Sequence, residues 1–191
     1  PAGEAIAHHH VVLPEVLVDV QQNSAALATE LARHAPAPVR LLNLGGGFGI
    51  PYFPGEKPLD LAPIGANLRA LLPVISTALP QAVVALELGR YLVGESGVYV
   101  CRVRDRKVSR GQVFLVTDGG LHHHLAASGN FGQVIRKNYP VLVANKVGAA
   151  ATEQASVVGP LCTPLDLLAD RMELSVADVD DLVAVFQSGA Y

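Results

Sequence analysis

The stretch Val39-Arg40-Leu41-Leu42-Asn43-Leu44-Gly45-Gly46-Gly47-Phe48-Gly49 decides how this chain is read. Val39 to Leu44 has the character of a short buried strand, and it runs directly into the glycines. Consecutive glycines let backbone N–H groups approach a bound anion closely, because no Cβ intervenes. A dinucleotide fingerprint would need Gly-x-Gly-x-x-Gly opening a helix, but Ile50 and Pro51 follow here. The Lys and Ser/Thr of a nucleotide P-loop are missing as well. Two readings remain: a phosphate cradle at the end of a β/α-barrel strand, and a tight turn that needs positive φ.

The neighbouring segments extend the pattern. Leu13 to Arg33 is expected to be helical, with Val16, Val20, Leu27 and Leu31 recurring near helical spacing. Pro36-Ala37-Pro38 ends it. Leu59 to Leu79 is expected to be a second helix, with Ile64, Leu68, Leu71, Leu72 and Ile75 on one face, kinked or split at Pro73. Ala82 to Leu88 reads as a second buried strand. Strands separated by amphipathic helices argue for parallel βα units. Glu87-Leu88-Gly89-Arg90 closes that strand. A carboxylate in an apolar strand needs a partner; a protonated pyridine nitrogen and an internal Glu87–Arg90 ion pair both qualify, and the planar fork of Arg90 suits a phosphate or carboxylate.

Beyond about Gly94 the pattern changes. Val98 to Val103 and Gln112 to Thr117 read as a β-hairpin with a polar turn starting at Asp105-Arg106-Lys107. Ser156 to Val158 and Asp181 to Gln187 read as further strands, and Pro164 to Met172 as a short helix. Ala149-Ala150-Ala151 reads as an exposed connection. The expected class is therefore α/β plus β, divided into residues 1–93 and 94–191. With 16% charged residues and a formal net charge of -3, the chain has no basic field to hold nucleic acid. No apolar run reaches the ~20 residues of a membrane span. The start carries no secretory signal pattern and no initiator Met, so the chain is expected to be a fragment. Two cysteines, Cys101 and Cys162, are too few to staple a domain of this size, in keeping with a reducing, cytoplasmic setting.

Taken together, these motifs resemble the ornithine/diaminopimelate decarboxylase family, the fold-type III pyridoxal-phosphate enzymes. Gly45 to Gly49 resembles the family's phosphate-binding loop, and Glu87-Leu88-Gly89-Arg90 its Glu-Pro-Gly-Arg, with Leu88 in place of Pro. Asp118-Gly119-Gly120, Gly159-Pro160-Leu161-Cys162 and Gly189-Ala190-Tyr191 resemble its Asp-Gly-Gly, Gly-Pro-x-Cys and Gly-Ala-Tyr. The resemblance implies the C-terminal part of an alanine racemase-like (β/α) barrel followed by a β domain carrying the Cys loop. It implies pyridoxal 5'-phosphate held by Gly45, Gly46, Gly47, Phe48, Gly49, Gly89, Arg90 and Tyr191, with Glu87 on the pyridinium nitrogen. It implies a homodimer with shared sites, in which Cys162 acts in the partner's site as proton donor. Family members commonly follow that Cys with an acidic residue that reads a distal amine. Here Thr163 stands in that place and Asp166 comes later, which disfavours lysine, ornithine and diaminopimelate as substrates.

The segment from His122-His123-His124 through Ser128-Gly129-Asn130-Phe131-Gly132-Gln133 to Arg136-Lys137-Asn138-Tyr139 resembles a subgroup. It includes decarboxylases of carrier-protein-linked aminoacyl groups and homologues associated with exosortase and exopolysaccharide systems. On that resemblance Arg90, Arg136, Tyr139 and Asp166 are the candidate substrate contacts. The family's chemistry also needs a lysine bound covalently to the cofactor, on an early barrel strand. The lysines here are Lys57, Lys107, Lys137 and Lys146, all after the glycine loop, so this fragment alone is expected to be inactive. The alternatives are a non-catalytic homologue that regulates or scaffolds as a dimer, and a metal module built on His8-His9-His10 and His122-His123-His124. Adjacent strand histidines point to opposite faces, which argues against the latter and leaves no metal expected.

Overall fold

Pro14 opens the first helix, α1 (Pro14–Ala32), from a position where its missing N–H costs nothing. Then follow β1 (Leu41–Asn43), α2 (Ala62–Ala78), β2 (Val83–Ala85) and the short α3 (Gly89–Val93). The structure is a computed structural model that describes residues 13–53, 55–130 and 136–191. The histidines His8 to His10 and the stretch Phe131-Gly132-Gln133 lie outside the described residues. The chain divides into two units: the part up to Pro51 with Lys57–Leu92, and Tyr52–Glu56 with Val93–Tyr191.

In the first unit β1 and β2 pair in parallel, Leu41 beside Val83 and Asn43 beside Ala85, as the βα pattern predicts. Their core joins Ala25, Leu42, Leu44, Ile75 and Leu79. The helices differ from expectation in two respects. Val16, Val20, Leu27 and Leu31 are exposed; the buried face of α1 is Leu17, Gln21 and Ala25. Small side chains at Ala25, Ala28 and Ala32 let this face pack closely. An amide pair completes it, with Asn67 Nδ2 donating to Gln21 Oε1 at 3.0 Å and Gln22 Nε2 donating to Asn67 Oδ1 at 2.9 Å. Periodicity of large apolar residues does not register a face made of alanine and amides. In α2, Pro73 does not split the helix, which runs unbroken from Ala62 to Ala78. Leu72 is exposed while Ile64 and Ile75 are buried.

The second unit is a six-stranded sheet in the order β5-β8-β3-β4-β6-β7, built from β3 (Tyr99–Ser109), β4 (Gln112–Thr117), β5 (Val141–Val143), β6 (Thr152–Val158), β7 (Leu167–Ser175) and β8 (Leu182–Val185). Its outer strands β5 and β7 also touch, so the sheet curls into a nearly closed barrel. Val103, Leu115, Val157, Leu168, Val183 and Val185 fill its interior. The hairpin turn falls at Arg110-Gly111, both with positive φ, and not at Asp105-Arg106-Lys107. Those polar residues stay in β3 because Asp105, Arg106 and Lys107 pair with Val116, Leu115 and Phe114. Arg106 then ion-pairs Glu153 of β6 at 2.6 Å.

The helix expected over Pro164 to Met172 is instead the start of β7, pairing antiparallel with β6. Leu165 and Leu168 share a helical spacing, but the sheet buries Leu168 and leaves Leu165 exposed; tertiary pairing overrides local pattern. Among the described residues no helix is long and apolar enough to cross a membrane. Leu168→Ala is expected to cost about 2–5 kcal/mol, and Leu165→Ala no more than about 0.5 kcal/mol, both read by urea unfolding. Equal costs would restore the helical reading.

Candidate active site

Two strand ends build the site in the first unit. The parallel ladder continues past β1 and β2, with Leu44 N–H donating to Ala85 O at 3.0 Å and Glu87 N–H to Gly45 O at 2.9 Å. That pairing sets the glycine loop beside Glu87. Gly45 and Gly47 both have φ of 81°, where L side chains are strained. At Gly46 a Cβ would overlap the carbonyl oxygen of Glu87, so only glycine fits so close an approach. Asn43 links the two parts: its Nδ2 donates to Glu87 Oε1 at 2.5 Å, and its Oδ1 accepts from Gly45 N at 2.8 Å.

Glu87 is exposed rather than buried, and its Oε2 takes no hydrogen bond among the described residues, leaving an acceptor for a cation. Phe48 is buried with Leu17, Leu59 and Ile64 and meets the edge of Tyr91. Its ring is therefore a core element, and only its backbone can face a ligand. Gly49 is buried, and Gly89 and Arg90 form the first turn of α3.

In the second unit, Asp118 caps the neighbouring strand by accepting from Arg102 N–H at 2.8 Å. The Gly119-Gly120 turn follows it. Cys162 lies exposed in the loop between β6 and β7, while Cys101 is buried and its thiol is pushed up to about 11, chiefly by burial. The Gly189-Ala190-Tyr191 segment is held by Ser188 N–H on Gly97 O and Gly189 N–H on Gly94 O. A Cβ on Gly189 would overlap Val93 O. Tyr191 is exposed at positive φ.

Residues 11–189 match the family described as pyridoxal-dependent decarboxylase, C-terminal sheet domain. The chain belongs to this family. It is 43% identical over 154 residues to the L-glutamyl-[BtrI acyl-carrier protein] decarboxylase of Niallia circulans, covering 78% of this chain and 36% of that protein. It is 32% identical over 157 residues to the diaminopimelate decarboxylase of Bacillus methanolicus, covering 80% and 35%. The chain thus spans about a third of the length of these relatives. The fold is shared with diaminopimelate decarboxylase from M. jannaschii in co-complex with L-lysine, at a TM-score of 0.73 and 21% identity, over 95% of this chain and 40% of that one.

Three candidate substrate contacts of this pyridoxal-dependent decarboxylase family member are buried or bonded within the fold. Asp166 is 3% exposed, and both its carboxylate oxygens accept backbone amides: Oδ1 from Leu121 at 2.6 Å and Oδ2 from Leu161 at 2.8 Å. Its carboxylate bridges two loops. Arg136 donates to the carbonyls of Ser128 and Leu167, and burial lowers its pKa. Tyr139 is 4% exposed, packed against Tyr52, Phe53 and His124. Periodicity and motif spacing register none of these commitments.

The second histidine cluster divides its members. His122 and His123 stack 3.9 Å apart, and Tyr99 O–H lies 3.2 Å from His123 Nδ1; Tyr99 itself is pushed up to about 12, mainly by burial. His124 turns inward. Ala127 N–H donates to its Nδ1 at 3.2 Å, so Nε2 carries the proton and donates to Ser188 Oγ at 2.7 Å. Among the described residues no group of three or more metal-ligating side chains is placed to hold a metal ion.

The lysines are also placed. Lys146 pairs with Asp181 at 2.6 Å, a partnership that raises its pKa. Burial opposes ionisation of Asp181, but bonds from Asp178 N–H, Lys146 and Asn145 outweigh it and bring Asp181 to about 2. Lys137 lies 3.6 Å from Glu56, Lys107 is exposed on β3 and Lys57 is exposed.

Burial lowers the pKa of His124 below its ordinary value of 6.5. The folded state then binds its proton less tightly than the unfolded chain. Its contribution is complete above that value and is lost as pH falls from it toward the depressed folded value. Unfolding free energy is therefore expected to decline below about pH 6.5, with a shallower decline in His124→Gln; equal slopes would contradict this.

Proposed function

We propose that the chain is the cofactor-cradle and Cys-loop portion of a pyridoxal-phosphate-dependent decarboxylase acting on an amino acid or a carrier-protein-linked aminoacyl group. The observation that carries this is the Gly45–Glu87 pairing bridged by Asn43. It sets an anion-accepting glycine loop beside a carboxylate with an oxygen to spare. These residues fit the two charged ends of pyridoxal 5'-phosphate. Gly45 to Gly49 would take the phosphate through backbone N–H groups, with Gly89 and Arg90 beside it and Arg90 as its cationic neighbour. Glu87 would accept from the pyridinium nitrogen, and Tyr191 would contact the cofactor. The cofactor, when bound, supplies an electron sink for loss of CO2.

On this reading residues 1–93 are the last part of a β/α barrel of alanine racemase type, and residues 94–191 are the β domain. The complete protein is a cytoplasmic homodimer with shared sites. Cys162 acts in the partner's site, holding the proton that replaces CO2. None of the four lysines is assigned the covalent role: Lys57 and Lys107 are exposed, and Lys137 and Lys146 pair with Glu56 and Asp181.

The substrate is a glutamyl-type group rather than a diamine precursor. Thr163 replaces the acidic residue expected after Cys162, and Asp166 spends both oxygens on backbone amides. No carboxylate of that loop segment remains to read a distal ammonium. The 43% identity to a carrier-protein glutamyl decarboxylase supports the same choice.

The test is CO2 release by the complete protein with pyridoxal phosphate, offered carrier-linked glutamate, diaminopimelate, ornithine and lysine. Turnover is expected on the carrier-linked substrate, with Glu87→Gln lowering it by about 10²-fold or more. Protein that binds no pyridoxal phosphate would contradict the reading and favour a non-catalytic, scaffolding homologue. Preference for a diamine precursor would overturn the substrate assignment alone.

A further inference from the structure

Asp166 sits just before β7, two residues from the fully buried Leu168 of the sheet interior, and is almost entirely out of solvent. No cation pairs with it among the described residues; backbone amides from two separate loops do. Leu121 N–H comes from the turn after Gly119-Gly120, and Leu161 N–H from the residue before Cys162. Gly159 N–H adds a bond to the Asp166 carbonyl at 3.0 Å, and Asp166 N–H donates to Thr163 O at 3.2 Å. Gly120 and Gly159 close over the carboxylate so tightly that a Cβ on either would overlap it.

We propose that Asp166 is a positioning residue whose carboxylate clamps the Gly119–Leu121 turn to the Gly159–Cys162 loop and so fixes where the Cys162 thiol is presented. A buried ionised carboxylate is costly unless its lone pairs are met. Here they are met only while both loops hold their places, so the carboxylate couples the two. The glycines of two motifs thereby acquire a common cause: they leave room for one side chain. The functional weight of the clamp rests on the proposed role of Cys162; the clamp itself does not.

Asp166→Asn discriminates because an amide offers one acceptor and one donor. Whichever way it turns, either Leu121 N–H or Leu161 N–H faces an N–H₂ group, and one loop is released. The readout is native-state alkylation of the complete protein by iodoacetamide, quantified separately at Cys162 and Cys101 by peptide mass. Cys162 is exposed and Cys101 buried, so Cys101 serves as an internal monitor of global opening. Because the Cys162 thiol is already open to reagent, releasing its loop changes its surroundings rather than its access, and in Asp166→Asn the Cys162 rate is expected to change by about threefold or more, with Cys101 still protected. Gly120→Ala, which pushes a methyl into the carboxylate from the opposite loop, is expected to do the same without altering charge.

An unchanged Cys162 rate in folded Asp166→Asn would overturn the proposal. So would parallel exposure of Cys101, since that marks general loosening. If Asp166→Asn does not fold, Gly120→Ala decides alone, and an unchanged rate there overturns it. Normal turnover in Cys162→Ala would remove the assigned role of the thiol while leaving the clamp standing on its labelling result.

Discussion

The bond from Glu87 N–H to Gly45 O is the contact on which the site in the first unit depends. It extends a parallel ladder by one rung beyond the formal strands, and in doing so sets a flexible glycine run against a fixed carboxylate. Parallel pairing is the only arrangement that brings both strand ends to the same edge. Gly46 then faces the Glu87 carbonyl with no room for a side chain. Asn43 ties the Glu87 carboxylate to the same loop. The glycine loop and the Glu87 carboxylate are thus positioned by one short piece of sheet whose core is Leu42, Leu44 and the helix residues behind them.

The second unit solves a similar problem without regular pairing. Its motif-bearing segments are loops between strands, and buried polar side chains anchor them. Asp166 holds the two loops flanking the ends of β4 and β6, while His124 holds Ser188 and with it the start of Gly189-Ala190-Tyr191. Each anchor is rooted in the nearly closed sheet, whose interior is aliphatic. The arrangement places loop precision under electrostatic control: a buried carboxylate or imidazole tolerates few alternatives, so the loops it holds have few as well.

The parallel pairing, the glycine loop and the β-rich second half were legible because they rest on composition and local pattern. Val39 to Leu44 running into glycine needs only a strand and a turn. The exposed face of α1 was not legible, because large apolar residues at helical spacing look like a core face whether or not they are covered. Pro164 to Met172 has the local pattern of a helix because Leu165 and Leu168 suit either period over so short a run, and pairing with β6 decides for the strand Leu167–Ser175. Asn43 had a usable signal, a lone amide in an apolar strand two residues before the loop. Asp166 had a weaker one: an acid four residues after Cys162 reads as a substrate contact, and only the structure shows both its oxygens accepting backbone amides.

The most direct test of the central claim is the protonation state of the cofactor's pyridine nitrogen. Complete protein loaded with ¹⁵N-labelled pyridoxal phosphate, examined by ¹⁵N NMR alongside Glu87→Gln, isolates what the Gly45–Glu87 pairing is there to do. A pyridinium shift in the parent protein that moves to the neutral range in Glu87→Gln is the expected result. A neutral nitrogen in the parent, or a pyridinium unaffected by the substitution, would contradict it.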